Sequence, residues 1–531
     1  MANNFSNSIN KWLEEYSKII SERSTKAEGS TIEVSDAASK IAFIYEKIRN
    51  TVDYREEHLI RKHAIARMLK RLAAPGSKGS EIALPLIEEI IRARYLANKS
   101  VPESMVKDVR NAINKYIVVY NSAIDKNFPS DDLSKLFSWL LKMAACEVEE
   151  ILLPAKEDKI TIDAMHRIVR QNIILDDENE LDETSRNIQI YISVLKSLIK
   201  ADEMIIHYNL FKYYFPKWKE LSLAQVEKKV LDLKHAKDQI ETHYTNSLNE
   251  KLTKEFKRYA VVFWILQNII EENPKTYNEI FASRDALVEN IRKVCNAKYK
   301  LIGGRVRRAI IRSVIYIFLT KIIFGILLEF PYDYFVQKQI HWLSLSVNAL
   351  FPPMLMTAIG LSIRTPKDSN TNAIIAEVDN IVFSSKGKEH RIKILKPKRG
   401  FGYYLLQVLY TILYLISFGL IIYGLAQLLF SYASMIIFLL FLTMVSFFSL
   451  RVRRTAAELI ILEKKERFLT VLLTLLFVPI LRVGRWISLH SSKINVFIFI
   501  LDFIIESPFK IFVRIFEDLV IFIKQKRDEM L

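Results

Sequence analysis

Apolar residues recur at three- and four-residue spacing through the first 300 positions of this chain, then close up into unbroken runs. The first regime predicts helices that each bury one face. Its breaks are sharp. AAPGSKGS (73–80) reads as a loop, Pro102 and Glu103 open a helix, Ser130 caps a run that Pro154 closes, and DDENELDE (176–183) is an acidic linker. A longer stripe, from Val226 and Val230 through Leu252 and Phe256 to Leu266 and Ile270, predicts one helix over 223–272 with Ser222 as N-cap and Pro274 past its end. Packing inside the domain and a coiled-coil partner both suit that stripe.

The second regime predicts membrane spans. AIIRSVIYIFLTKIIFGILLEF (309–330) and IHWLSLSVNALFPPMLMTAIGLSI (340–363), joined by PYDYFVQKQ, make a first transmembrane hairpin over 301–363. From Gly402 to Leu450 there is no charged side chain, which at 1.5 Å of rise suffices for two passes through a hydrocarbon core of about 30 Å. Positions 402–450 are therefore a second hairpin. Between the hairpins, 364–401 is a basic loop where NAIIAEVDNIVF and HRIKIL flank SSKGKE, the pattern of a small β-hairpin turning at Gly387.

Beyond 450 the pattern changes again. FLTVLLTLLFVPIL (468–481) is too short to cross unaided, and from Ile494 to Lys524 the polar positions Asn495, Asp502, Glu506, Lys510, Arg514 and Asp518 recur at sevens and fours. Residues 451–531 are expected to form an amphipathic region in the membrane interface, with Trp486 at headgroup level. A re-entrant pair or two further spans over 468–505 is the alternative. The fold class is an all-α membrane protein. It comprises a cytoplasmic helical-bundle domain over 1–300, divisible into two sub-domains, about four transmembrane helices and the C-terminal amphipathic region.

Charge assigns the orientation. The net value of +17 is uneven: residues 1–300 hold 47 Lys/Arg against 44 Asp/Glu, and residues 301–531 hold 29 against 15. A basic nucleic-acid-binding domain is excluded, because the excess flanks the spans instead. Arg305, Arg307 and Arg308, nine Lys/Arg within 364–401, and Arg451, Arg453 and Arg454 belong on one side, whereas 331–339 and 426–431 carry Lys338 alone. The positive-inside rule puts the basic flanks and both termini in the cytoplasm of a multi-pass protein of the cell (inner) membrane, against anionic lipid headgroups. The N-terminus lacks the pattern of a cleaved signal.

Catalytic signals are sparse. GxxxxGK[ST], GxGxxG and GxSxG are missing, and Cys146 and Cys295 have no metal-site spacing. Asp163 and His166 form one D-x-x-H with Glu147, Glu149 and Glu150 upstream, where a di-metal bundle needs two such motifs, so these read as a solvated face. No cofactor, metal site or catalytic residue is expected. REEHLIRKHAIARMLKR (55–71) is a basic amphipathic helix suited to anionic lipid, an acidic partner or an ordinary bundle face.

One place in the membrane half stands out. Lys321 falls about 15 Å into the first span, where an ammonium costs about 2.5–3.5 kcal/mol and needs a partner. Pro352 and Pro353 in the second span deprive the carbonyls of Asn348 and Ala349 of helical donors, and Ser344 and Thr357 add polar atoms along the same span. Broken helices at the midplane line transporter sites, so these residues are candidates for a solute site. Equally, Lys321 could donate to the freed carbonyls and staple the two spans shut. On the staple reading, Lys321→Leu leaves stability unchanged or raises it. Two functions follow: a non-enzymatic membrane-anchored assembly or interaction protein, engaging a protein partner or itself through helices 55–71 or 223–272, and, second, a channel or transporter for a small solute.

Overall fold

From Tyr259 to Ile270 the sequence YAVVFWILQNII is apolar on nearly every side, and a helix of that kind has to lie inside a core. The computed structural model describes residues 7–22, 30–52, 57–73, 77–177, 182–383, 390–394, 401–462, 468–493 and 506–528. These are 85 % helical. In it the helix Leu248–Glu272 buries Tyr259 to Phe263, Ile265, Leu266, Ile269 and Ile270. It packs most extensively on the helix Glu183–Leu198, whose Asp182 caps the first turn by accepting from Ser185 N–H. Trp12 closes the other side, edge-on to Phe263 at 5.1 Å with its indole N–H on Thr161 Oγ1 at 3.1 Å.

The single helix expected over 223–272 is instead three: Leu223–Lys228, Val230–Thr245 and Leu248–Glu272. Ser222 caps the first through a reciprocal box with Gln225. The second break is built, since buried Asn249 donates to the carbonyls of His243 and Tyr244 that the ended helix leaves orphaned. The apolar stripe persists across both breaks, and this is why spacing alone did not reveal them.

The expected β-hairpin within 364–401 also gives way. NAIIAEVDNIVF lies in the helix Asp368–Val378 and a following π turn, Asp379–Phe383. Ile374, Val378, Ile381 and Val382 are spaced to share one helical face, and all four are buried; the helix lies against Leu248–Glu272. HRIKI instead forms strand β2 (His390–Ile394), paired in parallel with β1 (Ile173–Asp177), Ile173 opposite His390. The supposed turn at Gly387 lies outside the described residues.

Four helices are long and apolar enough to cross a membrane. The first is the far part of one element, Arg284–Phe324, which starts among the N-terminal helices by burying Leu287, Ile291, Val294 and Cys295. It continues through π turns at Gly325–Glu329 and Asp333–Gln337, so most of the expected 331–339 connection is helical and the chain turns at Lys338, φ 55°. The second span, Trp342–Ser362, runs unbroken through Pro352 and Pro353. Its buried residues Ser344, Asn348, Pro352, Met356 and Gly360 recur every fourth position. The third, Phe401–Gln427, is largely exposed along its length, and the fourth, Tyr432–Ala456, is the best buried of the four.

The described helices of the tail pack back on the rest of the chain. The helix Phe468–Lys493 lies along the third and fourth spans. Ser417 Oγ donates to the Leu476 carbonyl at 2.9 Å, the Arg482 guanidinium sits 5.1 Å from the Tyr410 ring centroid, and a Cβ on Gly484 would stand 2.0 Å from the Thr443 carbonyl oxygen. Gly484 is thus what lets these backbones touch. The C-terminal helix Glu506–Asp528 docks Phe509 and Val513 on Ala38, Ala42 and Tyr45 of the helix Asp36–Val52. Ile511, Phe512, Ile515, Leu519, Phe522 and Ile523 stay exposed.

Candidate functional site

Pro331 explains the geometry around Lys321. It removes one N–H from the helical ladder, and the flanking turns open from i→i+4 to i→i+5 bonding. In a regular α-helix Glu329 would sit about 80° around the axis from Lys321. The wide π turn advances each residue through a smaller angle and brings both onto one face. Lys321 Nζ donates to Glu329 Oε1 at 2.6 Å, and Asn348 Nδ2 donates to Glu329 Oε2 at 2.7 Å and to the Ser434 carbonyl at 3.2 Å. The ammonium also faces the Phe441 ring at 4.8 Å. Lys321, Glu329 and Asn348 are each at most 1 % exposed.

This arrangement revises the expected one. The partner of Lys321 is a carboxylate eight residues along its own helix, not the Asn348 and Ala349 carbonyls. Asn348 takes part through its side chain, while Ala349 is only partly buried and lies outside the cluster. Pro352 and Pro353 are buried on the same face without breaking the helix. Thr357 turns away and returns its hydroxyl to the Pro353 carbonyl at 2.9 Å. Ser344 falls one turn beyond Asn348, buried, with no hydrogen bond to its Oγ. Counting along the helix puts Glu329 two turns from Lys321, near the outer end, which argued against it as the partner; nothing local links the first two spans to the fourth, which hid Ser434 and Phe441. Pro331 was the available signal.

A second cluster gathers the basic flanks at one end of the spans. Asn370 is 3 % exposed and fully engaged: Nδ2 donates to Tyr299 Oη (3.0 Å) and the Leu459 carbonyl (2.8 Å), and Oδ1 accepts from Ile461 N–H (3.0 Å). One side chain therefore ties the approach to the first span, the segment after the second and the segment after the fourth. Lys257 Nζ reaches the Ala457 carbonyl at 2.6 Å, Lys200 pairs with Glu458, and Arg284 grips Asp379 with two N–H bonds of 3.2 and 2.6 Å. Arg305, Arg307, Arg308, Arg451, Arg453 and Arg454 remain exposed around it.

In the N-terminal helices most of the described cations of the basic segment 55–71 are taken up internally; Lys70 is exposed, and Arg55 lies outside the described residues. Arg61 and Lys62 both hold Glu149, Arg67 holds Glu46, Arg71 holds Glu89, and His63 lies 2.5 Å from Asp202. Glu147 and Glu149 are accordingly buried rather than solvated, with Glu147 accepting from Tyr116 Oη at 2.5 Å and the Trp218 indole at 3.0 Å. Asp163 is exposed, and His166 stands edge-on to Tyr191. Among the described residues no group of three or more His, Cys, Asp or Glu is placed to hold a metal ion. No known family model, no curated protein and no solved structure matches the chain.

Proposed function

We propose that this chain is a membrane-anchored assembly or interaction protein, with its helical N-terminal region held at the cytoplasmic face of the cell (inner) membrane. The observation that carries the reading is the Asn370 junction. It ties three basic flanks to one another, and Lys257 and Lys200 join the N-terminal helices to the last of them, so the spans and the helical region act as one anchored body. The positive-inside rule makes the end bearing those flanks cytoplasmic, together with both termini. The closed Lys321–Glu329–Asn348 cluster serves as a staple joining the first, second and fourth spans. The exposed apolar face of Glu506–Asp528 suits the interfacial leaflet of anionic lipid. Because Arg61, Lys62, Arg67 and Arg71 of helix 57–72 are paired internally, a protein partner would meet other faces of the bundle.

A channel or transporter is the second reading, favoured by one fact. The first span carries two buried carboxylates, Glu329 and Asp333, beside its lysine, and intramembrane ionisable groups mark transport paths more often than anchors. Single cysteines at positions 350–357, probed in intact membranes with an impermeant thiol reagent, separate the two. Cys146 and Cys295 are buried and give little background. Protection throughout, with cysteines at 335–338 and 365–368 labelling from opposite sides, is expected for the anchor. Labelling on the Pro352–Met356 face would put an aqueous path in its place.

A further inference from the structure

The staple accounts for Lys321 and Glu329 and leaves Asp333 unexplained. Asp333 is 1 % exposed, lies one turn from Glu329 towards the end of the helix, and its buried Oδ1 has no hydrogen-bond partner among the described residues. The second span carries two more buried oxygens without partners, Ser344 Oγ and Asn348 Oδ1, at 1 % and 0 % exposure. Four residues separate Glu329 from Asp333 and four separate Asn348 from Ser344, and the two helices run antiparallel. Glu329 pairs with Asn348, which sets Asp333 at the level of Ser344. The two rungs hold one lysine and two carboxyl groups.

We infer that Asp333, Ser344 and Asn348, with Glu329 behind them, form a binding site for a small monovalent cation, sodium or lithium in class. Hard cations of this size take carboxylate, amide and hydroxyl oxygens, and these are the atoms left over. A buried carboxylate oxygen with no partner is costly; a cation here neutralises it and satisfies three orphan acceptors together. The site sits at the end of the bundle opposite the Asn370 junction, close to the turn at Lys338, so access is from the non-cytoplasmic side. Tyr334, Phe335 and Trp342, all exposed, ring that end at the level where aromatic residues meet headgroups. The inference is independent of whether the protein anchors partners or moves solutes.

The test uses the full chain in lipid nanodiscs. Its unfolding temperature is followed in sodium, lithium, potassium and N-methylglucamine chlorides at constant ionic strength and at several pH values, alongside equilibrium binding of radioactive sodium. A saturable rise of about 2–3 °C at a hundredfold excess of sodium or lithium over its dissociation constant is expected, with one ion bound per chain. Asp333→Asn should abolish both readouts, and Ser344→Ala, which keeps the charge and the fold, should weaken the binding severalfold. Equal unfolding temperatures in all four salts would overturn the proposal. So would a response to pH alone that Asp333→Asn removes, since the occupant would then be a proton.

Discussion

At the residue scale the Lys321–Glu329 pair governs what substitution there can do. Removing one member of a buried ion pair strands the other charge, at about 3–5 kcal/mol, whereas replacing both with apolar residues is often neutral. Lys321→Leu alone is therefore destabilising, contrary to what a lysine bound only to carbonyls would give. The double variant Lys321→Leu/Glu329→Leu should recover most of the loss. Unfolding of the four members of this cycle in one detergent measures it, and additive losses would show the pair to be unimportant. Lys321 and Asn348 were legible from the sequence because a charge and a break-prone turn at depth are conspicuous. Glu329 was not, since its position depends on how the backbone answers a proline two residues later.

His207 sets an acid limit on the N-terminal helices. It is 1 % exposed, edge-on to Tyr244 at 5.2 Å, and burial holds its pKa down at about 4, outweighing Glu203 nearby and Glu241 at 3.7 Å. Burial likewise lowers His166. Such a group takes its proton more readily when unfolded. Its contribution is thus fully present above the unfolded value of about 6.5 and is lost as pH falls from there towards 4, reaching about 3 kcal/mol for His207. His207→Gln should flatten that part of the stability–pH curve. An unchanged slope between pH 6.5 and 4 would remove His207 as its source.

At the element scale the π turns are the feature to perturb. Pro331→Ala restores the missing N–H and allows 325–337 to close into ordinary α-helix, swinging Glu329 about 80° from Lys321. The coupling between Lys321 and Glu329 in a double-mutant cycle should then fall towards zero while helix content stays constant; retained coupling would mean the wide turns do not depend on the proline. Packing offers a parallel case. A Cβ on Gly360 would lie 2.7 Å from Ile310 Cγ2, so Gly360→Leu should force the first two spans apart and cost at least 1–3 kcal/mol. The spans themselves were readable because long charge-free runs allow no other environment. The two breaks in 223–272 and the helix at 368–378 were not, because apolar periodicity survives a short break and β-branched residues also fill helical faces.

At the scale of the whole molecule, non-local contacts decide the assembly, and these leave the weakest trace in a sequence. The parallel β1–β2 pair joins positions more than 200 residues apart, and Asn370 sits in a stretch whose composition suggested only a basic loop. Asn370→Ala would orphan the Leu459 carbonyl and Ile461 N–H inside the junction, at about 2–4 kcal/mol. Hydrogen exchange near 299, 370 and 457–461 should then accelerate in concert, with the spans and the core around Leu248–Glu272 unaffected. Exchange rising at one segment alone would show that Asn370 is not the common tie.

The helix that begins at Arg284 and reaches Gln337 has a mechanical meaning. For its first 41 residues, about 60 Å, it is a stiff shaft seated in the N-terminal core. Its last thirteen residues contain both wide turns, the softest joint along its length. A rotation of the shaft would be taken up first at those turns, before it reached Asp333 and the chain reversal at Lys338.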